Sequence, residues 1–128
     1  MSGAVSGRVA ADVRLPVPVL RTASLARSAA WYAGVPGFAP AQVVPGVVAL
    51  LRLGDARLQL WQSLHAAPQD LSIALGGGPT GVFDCHARIA RAARAWIRQA
   101  PVLTPWGTWE FTLADLDGNL LRFACPAN

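Results

Sequence analysis

The chain has 128 residues, 53% of them hydrophobic and 14% charged, and its formal net charge of +4 comes from 11 arginines with no lysine. That length predicts one domain, 1–128, with enough apolar side chain to close a core without staples, and the composition excludes a disordered chain. No apolar run is long enough to span a bilayer, and the N-terminus lacks a basic region followed by an apolar core, so the expectation is a soluble cytoplasmic protein with no membrane partner.

In chain order, residues 1–12 are small and polar and read as a loose arm. Val13 to Leu20 reads as an edge strand, because Pro16 and Pro18 leave one edge without donors. Ser24 caps a helix predicted over Leu25 to Ala33 and ended by Gly34. Residues 42–44, 47–53 and 56–62 read as three short strands, with Pro45-Gly46 and Gly54-Asp55 as turns. Residues 64–79 read as a linker, since Pro68, Gly76-Gly77-Gly78 and Pro79 interrupt regular structure. Thr80 to Cys85 is predicted as a strand and Ala87 to Gln99 as a helix. Pro101 to Thr104, Glu110 to Ala114 and Leu120 to Ala124 complete the set. The last two are joined by Asp117-Gly118-Asn119, a hairpin signal in which glycine supplies positive φ.

The order is strand, helix, three strands, said twice. Leu25–Tyr32 lines up with Ile89–Trp96 at an offset of 64 residues, and Gly54-Asp55 matches Gly118-Asn119 at the same offset. Module one is expected at 13–63 and module two at 80–125.

Several residues invite a chemical reading. Arg88, Arg91, Arg94 and Arg98 fall on one helical stripe, which reads as a solvated face. The other arginines are scattered, which argues against a nucleic-acid partner. Cys85 and Cys125 read as small buried hydrophobes. His65 and His86 have no second histidine or carboxylate at ligand spacing. Gly76-Gly77-Gly78 lacks the following Lys-Ser/Thr of a phosphate loop. No G-x-S-x-G elbow is present, and Asp115 and Asp117 read as turn formers.

A duplicated βαβββ unit closing on Asp115-Leu-Asp-Gly-Asn-Leu-Leu-Arg-Phe123 resembles the vicinal oxygen chelate superfamily. Its members include glyoxalase I, extradiol dioxygenases, fosfomycin-resistance enzymes and bleomycin-resistance proteins. Val17-Pro-Val-Leu20 through Trp31-Tyr32 to Gly37-Phe38, and Pro105-Trp-Gly107 with Glu110-Phe111, look like the bleomycin-resistance branch. The resemblance implies an α+β fold of two βαβββ modules forming a cupped mixed sheet with outer helices. It also implies a homodimer in which the first strand is exchanged and the sites lie in interfacial crevices. The metal positions it implies fall near Gln59 and Arg122, and near Pro16 or Val17 and Thr80 or Gly81. None offers a His or Glu, and an arginine has no lone pair to give, so no metal or other cofactor is expected.

The expected function is then non-catalytic: sequestration of a hydrophobic aromatic natural product or peptide antibiotic, for self-resistance or as a carrier. A metal-dependent lyase, isomerase or dioxygenase is the alternative. Strand parity points Gln59, Trp61 and Arg122 into the cup, polarity adds Asp84, and Trp106 stands at the rim with Phe38 and Trp109. Indole faces suit flat aromatic ligands, and polar side chains fix their orientation. Glu110 and Thr112 oppose Trp109 and Phe111 on their strand, and parity alone leaves open which pair lines the cup. Bleomycin-type ligands are cationic. The basic balance of this chain and the placement of Arg122 therefore turn the expectation toward an uncharged or weakly acidic aromatic, such as a quinoxaline- or quinoline-bearing peptide.

Overall fold

A computed structural model describes residues 17–65 and 67–128. The first module runs β1 (Val19–Thr22), α1 (Leu25–Gly34), β2 (Ala39–Val44), β3 (Val48–Leu53) and β4 (Ala56–Gln62). The second runs β5 (Asp70–Ala74), α2 (Gly78–Ala93), a turn of 3-10 helix (Arg94–Trp96), β6 (Ile97–Leu103), β7 (Thr108–Ala114) and β8 (Leu120–Pro126). The sheets are ordered β1-β4-β3-β2 and β5-β8-β7-β6, with β1 parallel to β4 and β5 parallel to β8. One connectivity is used twice, and the fold is α+β with two βαβββ modules.

The sequence reading needs correction at the start of each module. Residues 13–16 of the predicted first strand, Pro16 among them, lie outside the described residues. The strand itself begins after Pro18, whose carbonyl accepts the Gln59 amide at 2.9 Å. In module two the strand lies inside the supposed linker, at Asp70-Leu-Ser-Ile-Ala74, whose side chains alternate in burial. Thr80–Cys85, predicted as a strand, is helical. Gly77 at φ 85° precedes the helix and Pro79 sits in its first turn, where a missing N–H costs nothing. Val82, Cys85 and Ile89 are buried at helical spacing. The helix ends at Ala93, short of Gln99, so Arg98 belongs to β6.

Each sheet buries one face. Leu20, Leu51, Leu58 and Leu60 from the first and Phe111, Leu113, Leu121 and Phe123 from the second join one core with Tyr32, Val82 and Ile89 from the helices. Phe38 bridges the modules, 5.9 Å from Tyr32 and 6.4 Å from Phe123 between ring centroids. Cys85 and Cys125 are buried free thiols within this core.

A polar clamp also ties the modules. The Tyr32 hydroxyl donates to Asp115 Oδ2 at 2.5 Å. Asp115 accepts the backbone N–H of Asp117 and of Asn119 and the Asn119 side-chain amide, each at 2.9 Å. Asp117 accepts the Ala23 N–H at 3.1 Å and the Ser28 hydroxyl at 3.2 Å. The β7–β8 turn therefore grips α1 of the other module. Gln69 adds a seam along the β1 edge: its side chain accepts the Arg21 N–H and donates to the Val19 carbonyl, both at 3.2 Å.

Burial pushes the Tyr32 phenol well above its ordinary value, and the charges of Asp115 and Asp117 and the Asp115 hydrogen bond act in the same direction. The folded state therefore holds a proton that the unfolded state gives up near pH 10. Tyr32's contribution is complete below about pH 10 and is lost as pH rises above it, at about 1.4 kcal/mol per pH unit. Cys85, whose thiol burial also raises, adds a decline in the same direction. Urea unfolding across the alkaline range should show this loss in the wild type. Tyr32→Phe should lack the part that begins near pH 10.

Candidate binding site

Residues paired directly across a ladder point to the same face, so register sorts the side chains. On the first sheet, Leu50 opposes Gln59, Arg52 opposes Arg57, and Trp61 opposes both Val48 and Arg21. These side chains share the uncovered face, away from the helices. Trp61 is 41% exposed, and its indole N–H donates to Gln59 Oε1 at 2.9 Å. Arg21, Arg52 and Arg57 make this face basic, and among the described residues none of them is in an ion pair.

On the second sheet, Glu110 opposes Ala124, Thr112 opposes Arg122, and Ser72 lies beside Arg122. The face of β7 is thereby settled: Glu110 and Thr112 are on the uncovered side. A loop closes over one end of that side. Thr104 N donates to the Thr108 carbonyl at 2.8 Å, Gly107 N donates to the Thr104 carbonyl at 3.1 Å, and the two threonine hydroxyls meet at 2.7 Å. Gly107 at φ 88° makes the turn, and Trp106 projects from it 71% exposed. Its indole N–H donates to Glu110 Oε2 at 3.1 Å, and the Thr108 hydroxyl reaches the same oxygen at 2.7 Å. Beneath the loop is a cleft of about 600 Å³, lined by Ser72, Gln99, Val102, Trp106, Glu110 and Arg122 among others.

Arg122 is not a bare cation there. Its guanidinium meets Asp70 Oδ1 of β5 at 2.6 Å. Both side chains are partly exposed, so the pair adds less than about 1 kcal/mol to stability. Its effect is to cancel a charge in the cleft.

Of the residues the sequence singled out, Trp106, Glu110 and Arg122 come together in this cleft. Gln59 and Trp61 sit together on the uncovered face of the other sheet. Three lie elsewhere. Phe38 is in the core at 1% exposure, because its position after α1 packs it on Tyr32. Trp109 faces α2, with its ring 4.9 Å from Phe83. Asp84 is an exposed residue of α2, since its segment is helical. It borders a separate cleft of about 630 Å³ with Asp55, Gly76, Cys85 and Arg91. The sequence reading missed Asp70, Ser72, Gln99 and Thr104. The alternation of Asp70-Leu-Ser-Ile-Ala74 would have found the first two. His86 packs against Phe111 at 5.4 Å, and burial, followed by the Arg94 charge, holds its pKa below the ordinary value.

No family model and no curated protein matches the chain. Solved structures do. The bleomycin resistance determinant encoded on the transposon Tn5 superposes with a TM-score of 0.69 at 22% identity, covering 88% of this chain and 98% of that one. A glyoxalase-related enzyme from Clostridium phytofermentans gives 0.69 at 16% identity, covering 87% and 93%. The bleomycin-binding protein of Streptomyces verticillus, complexed with copper(II)-bleomycin, gives 0.62 at 21%, covering 84% and 92%. The chain has the vicinal oxygen chelate fold.

On a vicinal oxygen chelate fold the implied metal positions lie on β1, β4, β5 and β8. With β5 placed at Asp70–Ala74, the position assigned to Thr80 or Gly81 moves to the Asp70–Ser72 stretch beside Arg122. The four strands then present Val19, Gln59, Ser72 and Arg122 to the uncovered faces, with Asp70 as the single carboxylate, already held by Arg122. Among the described residues no three His, Cys, Asp or Glu side chains converge. This donor set does not fit a divalent ion, which needs several converging N or O ligands.

Proposed function

We propose that this protein binds and sequesters a planar, hydrophobic aromatic compound without transforming it. The observation that carries the reading is Trp106. A large indole stands mostly in solvent above a 600 Å³ cleft, with its N–H fixed on Glu110 and its ring faces free. Exposing that much aromatic surface while ordering its polar end is an arrangement suited to stacking. The structural neighbours that are bleomycin resistance and bleomycin-binding proteins support this reading, and the glyoxalase-related enzyme supports the alternative of a metal-dependent lyase, isomerase or dioxygenase. The ligand class is an aromatic natural product or peptide antibiotic, taken up in the cytoplasm for self-resistance or carriage. Among the described residues no helix is long and apolar enough to cross a membrane.

A second copy completes the proposed site. The uncovered faces of both sheets carry apolar side chains, with Val19, Val44 and Trp61 on one and Val102 and Trp106 bordering the other. The first is basic, and the second carries Asp70 and Glu110. In a homodimer that sets one against the other, Gln59 and Trp61 of one copy approach the Trp106 cleft of the next.

Fluorescence quenching and calorimetry with quinoline and quinoxaline chromophores test the binding reading. Quenching and a measurable heat are expected, with Trp106→Ala weakening binding about tenfold, the loss of one stacking partner. No binding by any chromophore sinks it. Elemental analysis of the purified protein tests the enzyme reading, which requires stoichiometric metal.

A further inference from the structure

The charge balance of the cleft bears on which aromatic ligands it accepts, and this step rests on the binding reading above. Three ionisable side chains belong to the cleft and its border: Asp70, Glu110 and Arg122. Arg122 is held at 2.6 Å by Asp70 on the neighbouring strand, so these two cancel. Glu110 remains. Its Oε2 accepts both the Trp106 indole N–H and the Thr108 hydroxyl, while its Oε1 has no hydrogen-bond donor among the described residues. Ser72, Gln99 and Thr104 complete the polar lining and are neutral. Counted over the residues of one copy, the cleft therefore carries one uncancelled negative charge, within hydrogen-bond reach of an exposed indole.

An aromatic acid entering here meets Glu110 as a like charge, and Asp70 keeps Arg122 from answering it. An aromatic cation meets the opposite conditions: an indole face that attracts positive charge and a carboxylate oxygen free to pair with it. We propose that Asp70 and Glu110 are the specificity-determining residues of this cleft, and that they select a planar aromatic ligand carrying a positive charge. Asp70 acts by masking Arg122. Glu110 acts twice, orienting Trp106 with one oxygen and receiving the ligand with the other. This reverses the expectation from sequence, which counted Arg122 as a free cation because its partner was hidden in the supposed linker.

The test uses three probes of one shape and different charge: N-methylacridinium, acridine and acridine-9-carboxylate. Calorimetric titration into the wild-type protein at neutral pH should show the cation binding about tenfold or more tighter than the carboxylate. Glu110→Gln should shrink that ratio to about threefold or less. Asp70→Asn, which leaves Arg122 unmasked, should tighten the carboxylate about fivefold. Both residues are partly exposed, and a thermal melt of each variant confirms that it is folded. If the wild type prefers the carboxylate, the proposal is overturned, and the basic face of a second copy, with Arg21, Arg52 and Arg57, sets the ligand class instead. A cation preference that survives unchanged in Glu110→Gln, or carboxylate binding that ignores Asp70→Asn, overturns the role given to that residue. If none of the three probes binds the wild type while a quinoline or quinoxaline chromophore does, this proposal is overturned and the binding reading stands; if none of these chromophores binds, both fail.

Discussion

Replacing Asp115 by alanine is expected to destabilise the protein by about 3–5 kcal/mol, the cost of breaking a buried, fully used polar network. The carboxylate is 4% exposed and receives four hydrogen bonds, from the Tyr32 hydroxyl, two backbone N–H groups and the Asn119 amide. Alanine would leave all four donors without that acceptor, and Asn119 and Tyr32 are themselves buried. Tyr32→Phe removes one donor and leaves the turn intact, so a loss of about 1 kcal/mol is expected there. The ratio matters more than either value. If Asp115 served only its own hairpin, the Tyr32 change would be nearly silent and the double variant would behave as the sum of the singles. Coupling between them of about 1 kcal/mol in urea unfolding is the signature of a clamp between modules. Additive effects would overturn that account.

Gly81→Ala should cost about 3 kcal/mol and lower the melting temperature by about 10 °C. A Cβ on Gly81 would lie 2.2 Å from the Gly76 carbonyl oxygen, and the obstacle is backbone, which cannot swing aside as a side chain can. The helix must therefore shift or the loop must open. Gly34→Ala, where a Cβ meets nothing within 4 Å, is the control and should be close to neutral. Equal melts for the two variants would show that the α2 entrance yields easily.

These positions mark where the sequence could and could not be read. The hairpins announced themselves through Gly54-Asp55 and Asp117-Gly118-Asn119, because turn chemistry is local. The doubling of the βαβββ unit followed from element order. The misplacement of β5 has a physical cause as well. Thr80–Cys85 is a short apolar run that fits a strand by composition, while Asp70–Ala74 has only Leu71 and Ile73 to bury and so looks like loop. Partnership with β8 decides between them, and that partnership is distant in sequence. The site inherited the error. Arg122 and Glu110 were identifiable as pocket residues or candidates, but the charge Arg122 presents depends on Asp70, a neighbour only through the parallel β5–β8 ladder. Trp109 and Glu110 are adjacent in sequence and face opposite ways, and only the register with β8 says which is which.

The Gln69 seam has a consequence for how the chain handles its own first strand. An edge strand with free backbone donors and acceptors is an invitation to pair with another molecule. Here a single side-chain amide, offering one acceptor and one donor, imitates a peptide unit and occupies that edge. Such a fastening is weaker than a paired strand and can be undone by rotating one side chain. Any trade of β1 between copies would begin by releasing it, and a change at Gln69 would alter the cost of that first step.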